Sequence, residues 1–189
     1  MAPEDSHFKT AIDLIDAANA LDPANKELLY SQRMSEWLNR IEPAASTALK
    51  LAARAQHLRR WIIPRSDYPM DRIGYLKWRT TLYKFHAEEA AKILHTAGYD
   101  PATIERVATL IRKERIKSDP EAQTLEDVIC LVFLENYFAD FAAAHDDEKV
   151  IGILRKTWKK MSDRGHALAS SLPMSPAARK LVERALSTP

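Results

Sequence analysis

Cysteine is nearly absent from this sequence. Its 189 residues include only Cys130, so no intramolecular disulfide can form, and a small secreted scaffold stapled by disulfides is excluded. Cys130 sits in the apolar run Val128-Ile-Cys-Leu-Val-Phe-Leu134, where a buried reduced thiol fits a cytoplasmic protein. Glycine is almost as scarce: four residues leave hairpins little turn chemistry, and no segment alternates convincingly as a strand. No stretch of about eighteen apolar residues occurs, and Met1-Ala-Pro-Glu-Asp-Ser-His7 carries acids where a signal peptide needs a basic segment followed by an apolar one. Membrane spanning and export are therefore not expected. Phosphate-cradling loops, Gly-x-Gly-x-x-Gly, the Gly-x-Ser-x-Gly elbow, His-Glu-x-x-His and paired Cys-x-x-Cys are also missing. A serine or cysteine nucleophile is not indicated.

What is present is a globular composition, 46% hydrophobic and 29% charged, with a net charge of +2. That charge is too mild to imply a nucleic-acid partner. Helical periodicity runs through almost the whole chain and, with its proline and Asx punctuation, predicts helices over 6–21, from 25 or 26 to 41, over 44–61, from 71 or 74 to 96, from 101 to 113 or 116, and over 121–144, 148–168 and 177–186. In the second of these, Leu29, Met34, Trp37, Leu38 and Ile41 are expected inward. The expected fold is all-α: one domain over 1–189, a bundle of about seven or eight helices, with its core in 6–168 and a peripheral segment at 169–189.

Charge is distributed less evenly than its total suggests. Arg54, Arg59, Arg60, Arg65, Arg72, Lys77 and Arg79 lie within 26 residues against only Asp67 and Asp71. If the third helix continues to Trp61, then Arg54, His57, Arg60 and Trp61 share one stripe. Arginine offers a planar fork suited to phosphate, and tryptophan can stack on a base or on the guanidinium. Tyr68, Tyr75 and Trp78 are interleaved with the later cations. The competing reading is a solvated basic face.

His86 has Glu89 one turn away, so an imidazole and a carboxylate can enter one pocket. Glu126 and Asp127 precede the buried run and need a cationic partner or the helix dipole. The segment Arg112-Lys-Glu-Arg-Ile-Lys117 supplies candidates, Lys113 foremost.

His57-Leu-Arg-Arg-Trp, Ile63-Pro-Arg65, Tyr68-Pro69, Gly74-Tyr-Leu-Lys-Trp-Arg79, His86-Ala87, Lys113 and Leu125-Glu-Asp127 with Cys130-Leu-Val-Phe-Leu-Glu135 together resemble an uncharacterised domain-of-unknown-function family of bacteria and fungi. Its members are sometimes labelled glutamyl-tRNA synthetase-like. A synthetase catalytic core needs a nucleotide-binding α/β domain, for which this chain has neither the length nor the strands. The runs 52–61 and 125–134 also resemble the metal-ligand helices of HD-domain phosphohydrolases, with Leu58 where the Asp of the His-Asp pair belongs and no histidine around Tyr30 to Met34. That resemblance implies either a bundle that has lost its metal or a rearranged divalent-metal site of His57, His86 and Asp127.

Two functions of different class follow as expectations. One is a hydrolase of a phosphate-containing small molecule or nucleotide, with His57, His86 and Asp127 as metal ligands or acid–base groups and Arg54, Arg60, Trp61, Arg65, Arg72, Lys77, Arg79 and Lys113 binding the substrate. The other is a non-catalytic module holding an anion or an RNA end at the same residues.

Overall fold

The computed structural model describes residues 3–116 and 118–187, with side chains from residue 6 onward; Lys117, among the cations considered above, lies outside the described residues. These form α1 (Pro3–Asn19), α2 (Glu27–Ile41), α3 (Thr47–Arg54), α4 (Arg72–Thr96), α5 (Pro101–Ile111), α6 (Pro120–Asn136), α7 (Phe138–Ala143), α8 (Asp147–Trp158), α9 (Asp163–Ser170) and α10 (Pro176–Leu186), with 3-10 turns at Arg60–Ile62 and Arg65–Asp67. No strand occurs among the described residues, so the all-α expectation holds. None of the helices among them is long and apolar enough to cross a membrane.

Most helix starts are set by local chemistry. Ser46, Asp71, Asp100, Asp146, Ser162 and Ser175 each accept a hydrogen bond from a backbone N–H in the first turn of the helix that follows, with Pro101 and Pro176 at the first helical positions. A cap of this kind contributes about 1 kcal/mol.

Backbone contacts divide the chain into two compact units, residues 1–122 and 123–189. In the first, α3 packs on α1, α2 and α5, while α4 packs on α1 and α5. Leu49, Leu51, Ala52 and Ala53 of α3 are almost fully buried, the alanines letting neighbouring backbones approach. From α2 the buried side chains are Tyr30, Met34, Trp37, Leu38 and Ile41. Leu29, expected inward, is 46% exposed, and Tyr30 takes its place. Along α4, Gly74, Trp78, Leu82, His86, Ala90 and Leu94 recur every fourth residue and are all buried. Gly74 is required there, because a Cβ would lie 2.1 Å from the Pro69 carbonyl oxygen of the loop folded over the helix start.

In the second unit, α8 packs on α10 and α7. Residues 169–187, expected to be peripheral, include α10, whose Ala178 and Ala185 are buried; Arg155 Nε donates to the Ala185 carbonyl at 3.1 Å, and Arg184 pairs with Asp147.

Four helix ends differ from the periodicity reading. α3 stops at Arg54 rather than Trp61, and α5 at Ile111, beyond which Lys113 and Arg115 take left-handed φ values of 61° and 59°. The long sixth helix breaks at Tyr137, which lets Phe133 meet both Phe138 and Phe141 edge-on, at 6.2 and 5.9 Å between ring centroids. On a regular helix, residues five apart do not share a face. The seventh breaks at 159–162 because Asp127 captures Ser162: its carboxylate accepts from Ser162 N at 2.8 Å, Ser162 Oγ at 2.5 Å and Gln123 Nε2 at 3.1 Å. α9 starts directly afterwards, with Gly165 so close that a Cβ would lie 2.7 Å from Asp127 Oδ1.

Gly165→Ala should therefore lower the unfolding free energy in urea by about 1–3 kcal/mol, the usual result of overpacking. Gly152→Ala, where a Cβ meets nothing within 4 Å, should raise it by about 0.5–1 kcal/mol. Equal effects at the two glycines would contradict the packing described for Asp127.

Candidate functional site

After Arg54 the chain turns through 55–59, and two buried side chains capture it. Asn19 Oδ1 accepts from Arg59 N at 3.0 Å, holding Arg59 at a φ of 54°, and His86 Nδ1 donates to the Leu58 carbonyl at 2.8 Å. A carbonyl can only accept, so the His86 proton is on Nδ1 and Nε2 carries a lone pair. The redirected chain brings Arg60 to His57 and across to α4.

His57 lies flat on Tyr30, with ring centroids 3.9 Å apart and planes 10° from parallel. Its Nε2 accepts from Arg60 Nη1 at 3.2 Å, which leaves the proton on Nδ1, 3.4 Å from Glu27 Oε2. The His57–Glu27 contact has the distance of an ion pair, but its imidazole carries no charge. Burial, and after it the cations Arg60, Lys113 and Arg79 together with His86, hold the His57 pKa well below its ordinary value. Burial pushes Glu27 up to about 7, against the pull of Arg60. Burial also lowers His86 to about 4, against its hydrogen bond to Leu58. At neutral pH both imidazoles are uncharged.

Each cation around them lies over an aromatic ring. The Arg60 guanidinium carbon is 4.8 Å from the Trp78 centroid, that of Arg79 is 5.3 Å from Tyr83 and 5.7 Å from Tyr75, and Lys113 Nζ is 5.5 Å from Tyr83. Arg79 also donates to the Tyr83 hydroxyl. Arg60 forms no ion pair among the described residues, where its contacts are His57 and Trp78. The result is a small basic cluster built on α2, the 55–62 segment, α4 and the residue two beyond α5, all within the first unit.

Of the residues singled out from the sequence, His57, His86, Arg60, Arg79 and Lys113 come together here. Arg54 does not share their stripe, since the helix has ended; its guanidinium grips Asp16 at 2.5 and 2.7 Å and Ser35 at 3.3 Å. Arg65 leans towards Tyr75 and Trp78 but donates to the carbonyls of Tyr68 and Pro69, at 2.9 and 2.7 Å, and so fastens the loop. Trp61 is half-buried, and the indole beneath Arg60 is Trp78, whose Nε1 donates to the Ile63 carbonyl at 2.9 Å. Arg72 and Lys77 are exposed.

Glu89, expected to share a pocket with His86, pairs instead with Arg59 and Lys92 at 2.9 and 2.5 Å. Asp127 belongs to the second unit and is occupied with Ser162 and Gln123. Glu126 pairs with Lys160 at 3.2 Å, a partner not among those expected. Among the described residues, no group of three or more His, Cys, Asp or Glu side chains is placed to hold a metal ion. Sequence reasoning missed Glu27 and Tyr30. Their only signal is that both lie on the α2 stripe that carries Met34, an acid and a phenol where a core helix would ordinarily show aliphatic residues.

The chain belongs to the family described as Domain of unknown function (DUF4202), whose model matches residues 9–182. No curated protein and no solved structure matches it.

The buried groups give stability a definite pH dependence. Unfolded, His86 titrates near 6.5; folded, near 4. Between those values only the unfolded chain holds the proton, so this contribution is complete above pH 6.5 and is lost as the pH falls towards 4, with His57 acting in the same direction. Glu27 opposes them: folded, it keeps its proton up to about 7, against 4.5 when unfolded, so its contribution is lost as the pH rises through that range. Urea denaturation across this range should show His86→Asn losing less stability than wild type on acidification. Glu27→Gln should gain on wild type by about 1–3 kcal/mol between about pH 5 and 8. A Glu27→Gln variant that loses ground as the pH rises would show that the carboxyl is not held protonated.

Proposed function

We propose that this member of the family binds a phosphate-containing small molecule or nucleotide through Arg60, Arg79 and Lys113. The observation that carries the reading is that Arg60 makes no ion pair among the described residues, while its charge and those of Arg79 and Lys113 bear on one neutral imidazole, His57. A guanidinium with no ion pair beside buried groups is unfavourable unless an anion joins it. A guanidinium held over an indole keeps donors for a phosphate, which its planar fork can meet in pairs.

Binding of a small molecule is favoured over capture of an RNA end by one feature. The aromatic faces that would stack on bases are engaged: Tyr30 by His57, Trp78 by Arg60 and Tyr83 by Arg79 and Lys113. For a phosphohydrolase, the acid–base groups available in this cluster are His57, His86 and Glu27. An HD-like metal site would need Asp127 to leave Ser162 and Gln123. A binding module requires neither and is the simpler reading.

Phosphate or a nucleotide at low salt should raise the thermal midpoint saturably, by an amount equivalent to about 2.7 kcal/mol at a hundred times the dissociation constant. Arg60→Ala should abolish this shift and Arg60→Lys should restore it only in part. Arg54→Ala should lower the midpoint of the free protein, because Asp16 loses its partner, yet leave the ligand-induced shift in place. A wild-type midpoint indifferent to phosphate and nucleotides would remove the reading.

A further inference from the structure

His86 Nε2 is buried with no hydrogen-bond partner among the described residues. Nδ1 is committed to the Leu58 carbonyl, and the residue is 1% exposed. On α4, His86 continues the stripe Tyr75, Arg79, Tyr83, at spacings of four, four and three, so it stands at the inner end of the row that carries the cations' aromatic supports. Its ring is 6.0 Å from that of His57, and the Arg60 charge bears on it. A buried acceptor with no donor is costly, and it is placed where an anion would be held.

We propose that the ligand carries an O–H on or beside its oxyanion and donates it to His86 Nε2, so that the pocket prefers monohydrogen phosphate or a hydroxylated phosphate ester to sulfate. The inference rests on the anion-binding reading above and adds a specificity to it. Sulfate and monohydrogen phosphate are both tetrahedral dianions of similar size, so Arg60, Arg79 and Lys113 do not separate them. The lone pair does. Sulfate offers only acceptors and sets an oxygen against Nε2, whereas monohydrogen phosphate brings one P–O–H donor to it. The same physics lets a buried polar group reject a close analogue that lacks the matching hydrogen.

Isothermal titration of the full chain at low salt and about pH 7.5, above the range in which His86 titrates, would compare inorganic phosphate, sulfate, methyl phosphate and glycerol 3-phosphate. Phosphate or glycerol 3-phosphate should bind at least about tenfold more tightly than sulfate and methyl phosphate, neither of which offers a hydroxyl as a dianion. Tight phosphate with weak methyl phosphate assigns the donor to P–O–H. Tight glycerol 3-phosphate, with phosphate no better than sulfate, assigns it to the alcohol. His86→Asn keeps a side-chain N–H for the Leu58 carbonyl and removes Nε2 with its lone pair, the shorter amide leaving its own oxygen away from that position, and it should bring all four ligands within about twofold of one another. Sulfate matching the best of the others on wild-type protein overturns this proposal while leaving anion binding intact. Binding of none of the four removes both. The wild-type comparison decides even if the variant does not fold.

Discussion

The Leu58 carbonyl would, in a continuing helix, accept from the backbone N–H of Ile62. Here it accepts from His86, and Ile62 N turns to Arg59 O at 3.1 Å instead. One side-chain donor thus keeps a helix from resuming past Leu58, and the rest of the basic cluster follows from that exchange. Arg59 swings into the left-handed region, where Asn19 secures its N–H, and Arg60 is carried to Trp78 rather than outward along a helix. The same bond sets the tautomer of His86. A backbone event and the chemistry of the site are therefore one constraint.

The positive charges of the 54–79 segment divide by what their donors are doing. Arg54, Arg59 and Arg65 are committed to Asp16, to Glu89 and to loop carbonyls, and they shape the scaffold. Arg60 and Arg79 lie over ring faces, and Arg60 is oriented there with no ion pair among the described residues. Net charge in a window of sequence sums both groups, and only their partners separate them. Of the aromatic residues interleaved with the cations, Tyr75 and Trp78 lie under guanidinium groups, one of the two roles the sequence offers an aromatic ring there.

Local punctuation was legible. Asp100-Pro101, Asp146, Ser175-Pro176 and Asp71 cap helices as their residue types require, and the all-α architecture follows from periodicity alone. The breaks at 55, 137 and 159–162 were not legible, because nothing in Ala55-Gln-His-Leu-Arg-Arg-Trp61 or Lys159-Lys-Met-Ser162 disfavours a helix. What keeps a helix from resuming after the turn at 55–58, and what holds the break at 159–162, is a distant side chain, His86 or Asp127, taking a group that a helix would have used. Glu27 was hidden for a related reason: an acid in the first turn of a helix is ordinarily explained by the helix dipole, and only burial beside His57 gives it a different meaning. Three of the basic-cluster residues, Arg60, Arg79 and Lys113, were named from sequence, although the stripe that first linked Arg60 to Arg54 does not exist.

The lone pairs decide between a cation and an anion at this cluster. A divalent metal needs several, and the Nε2 of His57 already accepts from Arg60 while the Nδ1 of both rings is protonated. The carboxylate of Asp127 holds the Ser162 amide and hydroxyl, hydrogen bonds that keep α9 in place and that a metal would have to displace. Glu27 is near but half-protonated at neutral pH, since burial has pushed it up to about 7. One nitrogen without a partner among the described residues, on His86, remains, and the fixed charge of Arg60 that bears on it would oppose a metal ion at any protonation state of the histidines. For an anion the balance reverses: the cations attract it, Glu27 repels it only in its ionised fraction, and the single lone pair becomes a point of discrimination.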